Sequence, residues 1–186
     1  MLAEAKQIDQ VIRLLTYLSD FFRTSLSNGQ NFITIQEEQR HIESYLKIQQ
    51  FRYQDTLAYN IDIDKALCNL TIQELLLQPL VENALVHGIR GKRGKGTISV
   101  TGRLEGGNIV FCVTDDGVGM DDEQLYNLRK ASVNGSTQSA NIAAFGVGNV
   151  NERIHIYYGE NYGLFFKSQP NVGTTARVVI PARNVS

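Results

Sequence analysis

No apolar run in this sequence approaches the ~18–20 residues of a membrane-spanning helix, and no secretory leader pattern opens it. An excess of charge is also missing, since 18 Lys and Arg against 19 Asp and Glu leave a net charge of −1. The chain therefore carries no electrostatic footprint for nucleic acid or an anionic membrane. Cysteine is scarce. Cys68 and Cys112 make neither a metal site nor a disulfide scaffold. Both read as small apolar residues, Cys112 within a strand, and a reducing, cytosolic setting fits. What remains is ordinary globular composition, 42% hydrophobic and 20% charged over 186 residues, with length for one full core and an appendage. The chain opens inside a helical pattern, which reads as a piece of something longer.

Periodicity organises the rest. Ile8, Val11, Ile12, Leu15, Leu18 and Phe22 recur at helical spacing over residues 4–27. Leu14 and Phe21 widen the stripe, so this helix is expected to pack on its own chain and on a partner chain, with Ser27-Asn28-Gly29 as its end. Thr34-Ile35-Gln36-Glu37 has the form of a capping box. It opens a second helix to about Tyr53, with Ile42, Tyr45, Leu46 and Phe51 inward, and the two helices form a hairpin. After Asp55 the pattern changes to α/β. Strands are expected at Leu57–Ile63, 97–104, 108–114, 163–168 and 174–180, the second and third joined by a Gly-Gly turn. Thr71-Ile72-Gln73-Glu74 reads as a second capping box, with a helix running to His87. Pro79 either kinks that helix or marks its true first turn. Helices are expected at about 121–131 and 147–158, and residues 132–145 read as a mobile loop by composition. The expected fold class is an α/β (α+β) sandwich with one mixed sheet, preceded by the helical hairpin.

Two segments carry chemistry in combination. Gln78-Pro79-Leu80-Val81-Glu82-Asn83-Ala84-Leu85-Val86-His87-Gly88 places Glu82, Asn83 and His87 together on a helix, with Asn83 and His87 at i and i+4. The Asn83 carbonyl is a hard neutral oxygen suited to Mg²⁺ that keeps phosphate and water as its other ligands. Glu82 is placed to orient a water or accept a proton. Val113-Thr114-Asp115-Asp116-Gly117-Val118-Gly119-Met120 is an acidic, Gly-rich turn after an apolar strand. Asp115 at the strand end can accept a hydrogen bond from an exocyclic amine, while Gly117 and Gly119 allow approaches that a Cβ blocks. Together these are what a purine triphosphate with a metal ion requires. Taken singly, each segment reads equally well as an amphipathic helix face or an Asp/Gly turn. Phe145-Gly146-Val147-Gly148-Asn149 reads as a helix start whose amides cradle phosphates. Gly173-Thr174-Thr175 begins the last strand, where a Thr hydroxyl can hold a water against the purine.

In this order the segments resemble the Bergerat-fold nucleotide-binding superfamily (gyrase B, Hsp90, histidine kinases, MutL), and within it the sensor histidine kinases of the YesM/LytS-like group. QPLVENALVHGI at 78–89, VTDDGVGM at 113–120, FGVGNVNERI at 145–154 and GTTARVVIP at 173–181 carry the resemblance. ITIQEEQRHIESYLKIQQFRY at 33–53 is also similar to what precedes the domain in that group. The resemblance implies ATP and Mg²⁺ as ligands, with Asn83 on the metal and Asp115 on adenine. It places Gly117 and Gly119 at the base pocket, Gly146 and Gly148 at the triphosphate, and residues 121–145 as a lid. Thr174 or Thr175 would support Asp115 through water, and Glu82 and His87 are the candidate catalytic pair of the polar box. Three departures stand out. Val86 replaces a basic residue, so a phosphate contact is either missing or supplied by Arg90, Lys92 or Lys95. Ala144 replaces the first glycine of the lid's closing motif. The phosphoacceptor histidine, carried by relatives in an Asn-Pro-His-Phe motif upstream, is absent. His41 reads as solvated on a charged helix face and His155 as structural or exposed, so neither is expected to replace it.

The expected function is therefore the ATP-binding catalytic domain of a two-component sensor histidine kinase (residues 56–186), preceded by the C-terminal part of its dimerisation helices (residues 1–55). It implies a homodimer, a response regulator as partner, no nucleic acid, and a cytoplasmic domain of a membrane protein whose anchor lies elsewhere. Two alternatives stand beside it. One is an ATPase of the same fold that closes as a dimer and uses Glu82 to activate water. The other is a non-catalytic nucleotide-binding module.

Overall fold

The computed structural model describes residues 2–25, 31–53, 56–134 and 142–182. Helix α1 (Leu2–Ser25) and helix α2 (Ile35–Tyr53) pack against each other as the expected hairpin, and the Ser27-Asn28-Gly29 terminator lies outside the described residues. α1 is apolar on two sides: Leu14, Leu18 and Phe21 are half-buried, while Ile8, Val11, Ile12, Leu15 and Phe22 are exposed. The capping box of α2 is formed. The Glu37 carboxylate accepts from the Thr34 amide (2.7 Å) and hydroxyl (2.7 Å), and the Glu37 amide donates back to Thr34 Oγ1 (3.2 Å).

Two sequence expectations for α2 fail for the same geometric reason. The buried stripe is Ile35, Glu38, His41, Ile42 and Leu46, with Tyr45 half-buried. Phe51 lies five residues beyond Leu46, about 140° around the helix, and is exposed rather than inward. His41 precedes Ile42 on the stripe and is buried rather than solvated. Its ring stacks on Phe21 with centroids 4.7 Å apart.

Strand β1 (Phe32–Thr34) pairs antiparallel with strand β3 (Thr71–Gln73). Residues 71–73 are thus extended and do not cap a helix. Ile72 is fully buried in this pairing, so tertiary partnership overrides the capping pattern. The helix starts later, as α3 (Gln78–Asn83), with Pro79 in its first turn. Of the two roles open to Pro79, the structure adopts the first-turn one, where a missing N–H costs nothing. Residues Ala84–Ile89 continue as a π-helix, which replaces the expected uninterrupted α-helix to His87.

Strand β2 (Leu57–Ile63), strand β4 (Gly96–Glu105), strand β5 (Asn108–Asp115), strand β6 (Gly163–Gln169) and strand β7 (Gly173–Pro181) form one mixed sheet in the order β2-β4-β5-β7-β6. β2 and β4 run parallel and the other pairs antiparallel. Alternation puts Val100, Ile109, Phe111, Val113, Val178 and Phe166 on one buried face. Helix α4 (Asp122–Asn134), helix α5 (Ile142–Tyr158) and the π segment cover that face. This is the expected α/β sandwich. Both helices reach into the stretch expected to be loop, whose residues 135–141 lie outside the described residues. Buried Asn151 joins the layers: its Nδ2 donates to Ser132 O (3.0 Å), and its Oδ1 accepts from the Leu164 amide (2.8 Å). Among the described residues no helix is long and apolar enough to cross a membrane.

The most deeply buried acid is Glu38, fully inaccessible. Burial pushes its carboxyl from the ordinary 4.5 up to about 7, against the opposing pull of the Leu77, Leu75 and Gln78 amides and of Arg153. A folded-state value above the unfolded one contributes stability that is complete below the unfolded value and is lost as pH rises through about 7. Urea denaturation between about pH 4.5 and pH 8 is expected to show the wild type losing about 3 kcal/mol relative to Glu38→Gln over that window. Parallel pH profiles for the two proteins would contradict it.

Candidate functional site

The strand register assembles the site. Ile98, Asp115, Thr174 and Ser168 are successive cross-strand neighbours on β4, β5, β7 and β6, so they form one row at the end of the buried face. Their own face carries the core, and at its edge the apolar pattern gives way to polar groups. Ser168 Oγ meets Thr174 Oγ1 (2.9 Å), donates to Gly173 O (3.0 Å) and accepts from the Met120 amide (2.8 Å). Thr175 is one residue on and therefore points to the opposite face, where its hydroxyl meets Thr114 Oγ1 (3.1 Å). The structure thus places Thr174 beside Asp115 and Thr175 away from it. Ser168 went unnoticed in the sequence because only the pairing register reveals it.

Asp115 is buried, and its Oδ1 accepts from the Gly117 amide at 2.9 Å. Burial raises its carboxyl above the ordinary value, opposed by the Gly117 and Thr174 amides and reinforced by neighbouring Asp116. The π segment brings the Gly88 backbone onto this carboxylate. A Cβ at Gly88 would stand 2.4 Å from Asp115 Oδ1, and a Cβ at Gly117 would stand 2.3 Å from the Gly88 carbonyl. A side chain at Gly117 would run into backbone, and one at Gly88 would have to displace the Asp115 carboxylate. The Val118 amide donates to Gly88 O (3.1 Å) and the Asn171 amide to Val118 O (2.7 Å), which stitches the acidic turn to both neighbours. Gly119 lies in the left-handed region at φ 63°. The role of Gly88 escaped the sequence reading, although a glycine inside a helical pattern signals a close backbone approach.

Asn83 and His87 fall on consecutive turns where α3 passes into the π segment. Asn83 is half-buried, and its Nδ2 is one of the few buried polar atoms without a partner among the described residues. An amide can turn over, so Asn83 offers either a donor to a phosphate or a carbonyl oxygen to a cation. His87 is exposed. Glu82 Oε1 accepts from Gln78 Nε2 at 2.7 Å. No cluster of three His, Cys, Asp or Glu suited to a metal exists among the described residues. A divalent cation here would take Asn83 as its protein ligand and phosphate and water for the rest, a donor set that suits Mg²⁺.

Gly146 and Gly148 lie within α5, which begins at Ile142. They occupy its second turn rather than its first, so the expected helix-start cradle at Gly146 is corrected. The backbone of Ala144 is helical there. Of the basic side chains weighed as phosphate contacts, Lys92 Nζ is held by Asp116 Oδ1 at 3.0 Å, and the Arg90 guanidinium lies 5.9 Å from the Tyr53 ring centre. Lys95 and Val86 are exposed. Asp116 also accepts from the Thr97 amide (2.7 Å). Partial burial acts against ionisation of Asp116, but the Thr97 amide and Lys92 outweigh it and hold the carboxyl below its ordinary value.

Comparison with known proteins matches residues 1–57 to the family described as histidine kinase. Residues 72–184 match the family described as histidine kinase-, DNA gyrase B-, and HSP90-like ATPase. The chain is 32% identical to sensor histidine kinase YesM of Bacillus subtilis over 98% of its length, and 28% identical to sensor histidine kinase BtsS of Escherichia coli over 95%. It spans only 30% and 28% of those proteins. Among solved structures, the histidine kinase domain of the Erythrobacter litoralis EL346 blue-light activated kinase superposes with TM-score 0.59 at 16% identity, covering 97% of this chain and 83% of that one. The catalytic domain of histidine kinase ThkA gives 0.62 at 13% identity, covering 82% and 99%. Both show the shared fold.

The contact of Gly88 with Asp115 is directly testable. Gly88→Ala is expected to cost about 2 kcal/mol in urea denaturation, as overpacking does. Most of that loss should vanish in a background of Asp115→Gly, because the clash partner is gone. Additive losses would show that the two groups do not meet.

Proposed function

This chain belongs to the histidine kinase-, DNA gyrase B- and HSP90-like ATPase family, and we propose on that premise that residues 56–186 bind ATP with Mg²⁺ as the catalytic domain of a sensor histidine kinase. Residues 1–55 are then the C-terminal part of its dimerisation and phosphoacceptor helices. The reaction is transfer of the ATP γ-phosphoryl to a histidine outside this chain, then to an aspartate of a response regulator. The working assembly is a homodimer, anchored in the membrane through segments elsewhere in the protein.

The observation that carries this reading is a buried carboxylate framed by backbone. Asp115 is crowded by the Gly88 and Gly117 backbone, and the helix that leads into the Gly88 segment ends on Asn83, whose amide nitrogen is buried without a partner. In the proposed complex Asp115 accepts a hydrogen bond from the exocyclic amine of adenine. Gly117 and Gly119 let the acidic turn lie against the base, and Thr174 supports Asp115 from the adjacent strand. Asn83 holds Mg²⁺, whose charge offsets that of the phosphate oxygens. Gly146 and Gly148 supply contacts along α5, and His87 lies at the phosphate side. Transfer of this kind depends on positioning and charge neutralisation rather than on covalent chemistry by the protein.

The local structure favours transfer over hydrolysis. A hydrolase reading needs Glu82 to hold a water, yet its carboxylate is turned toward Gln78. The histidines favour an acceptor elsewhere: His41 is buried, and His155 lies 3.6 Å from the Glu160 carboxylate.

Calorimetric titration of Mg-ATP is expected to show binding that Asp115→Ala weakens by about 100-fold. Incubation with γ-labelled ATP is expected to leave the chain unlabelled. No binding by the wild-type chain would overturn the reading. Steady ATP turnover abolished by Glu82→Gln would replace it with the hydrolase.

A further inference from the structure

The segment that carries Asn83 does not hold itself in place. Helix α3 has Leu77 at its N-cap with no side-chain cap, and the amides of the residues leading into it need acceptors, since unmet amides in a buried setting are costly. The acceptor comes from another element. Glu38 of α2 takes the Leu77 amide on Oε1 (2.8 Å) and the Leu75 amide on Oε2 (3.1 Å). Leu75 adopts φ 55°, a conformation that a non-glycine residue keeps only when its surroundings over-determine it.

One helical turn along the same face of α2, His41 Nε2 is hydrogen-bonded to Gln78 Oε1. Since the amide oxygen only accepts, His41 is the donor there. That bond sets the orientation of the Gln78 amide, whose Nε2 donates to Glu82 Oε1. Two side chains at i and i+3 on α2 thus grip the entry to α3, one through the backbone amides just before it and one through its first side chain. The gripped Leu77 and Gln78 lie six and five residues before Asn83, between one and two helical turns away.

We infer that Glu38 and His41 are positioning residues for the nucleotide site, holding α3 so that the Asn83 amide faces the metal-bound triphosphate. This rests on the assignment of Asn83 in the proposed function. The grip makes the affinity for metal-bound nucleotide depend on how α2 lies against α3. The other charged groups at the grip are Arg153 of α5, which donates to Glu74 O, and Glu74 and Glu82, which face His41. Tyr158 of α5 lies near Glu38 and accepts from the Gln73 amide at 2.9 Å.

The test uses the whole chain with two variants. Glu38→Gln keeps the volume but turns an amide NH₂ toward a backbone N–H. His41→Phe keeps the stack on Phe21 and removes the bond to Gln78. Calorimetry with Mg-ATP and with metal-free ADP separates Asn83 from the base pocket. Glu38→Gln is expected to weaken Mg-ATP about tenfold and His41→Phe about threefold, with metal-free ADP changed by less than about twofold. Amide exchange without nucleotide is expected to accelerate from Leu75 through Asn83 in both variants. If Glu38→Gln does not fold, His41→Phe alone decides. Wild-type Mg-ATP affinity in the folded variants, beside a wild-type chain whose binding Asp115→Ala destroys, would overturn the inference and leave the proposed function standing. Equal losses for Mg-ATP and metal-free ADP would reduce the grip to a purely structural one and overturn it also. A wild-type chain that binds neither ligand would sink the proposed function and this inference with it.

Discussion

Placing a carboxylate on the buried face of a central strand is unfavourable unless backbone amides or a ligand meet it. Asp115 occupies such a position, in line with Ile109, Phe111 and Val113 on β5. Much of the site follows from accommodating it. The Gly117 amide turns back to the carboxylate. The π segment swings the Gly88 backbone onto it where an ordinary helical residue would bring a Cβ. Asn83 is the residue immediately before that segment, at the end of α3. A π turn spends helical regularity to place groups in this way, and such turns recur at functional sites.

The second constraint is the junction between the helical hairpin and the sandwich. It is made of polar groups inside an apolar surround: Glu38 on the amides before α3, His41 on Gln78, and Arg153 on Glu74 O. Around them lie Ile35, Ile42, Leu46, Leu76 and Leu77, all fully buried. Apolar packing alone tolerates small rotations of one helix on another, whereas hydrogen bonds in a low-dielectric setting fix one orientation.

Strong periodic signals were legible. The alternation of β2 and of the antiparallel strands, the Thr34–Glu37 box and the double-sided apolar pattern of α1 all appear as the sequence implied, because each is set by neighbours in the chain. Misread features were set by neighbours in space. Residues 71–73 have a capping pattern but find β1 as a partner. His41 stands among charged residues in sequence, yet on the helix surface it lies beside Ile42 and under Phe21. The start of α5 at Ile142 was obscured by the small, polar composition of the residues before it. In the candidate site, the proposed roles of Asp115, Asn83 and the glycines of the acidic turn rest on residue type. Ser168, Gly88 and the distinction between Thr174 and Thr175 required the sheet register, which no local motif encodes.

The central claim is that Asp115 reads an exocyclic amine on a purine. It is tested most directly by titrating ATP and inosine triphosphate, each with Mg²⁺, into the intact chain. The two differ at the group that would face the carboxylate: an amine that donates in ATP, and a carbonyl oxygen that would oppose it in inosine triphosphate. The account predicts that ATP binds at least about 100-fold more tightly, the penalty for setting two acceptors against each other in a buried site. Equal affinities would mean that Asp115 does not contact the base at this edge, and the assignment of the site would be wrong.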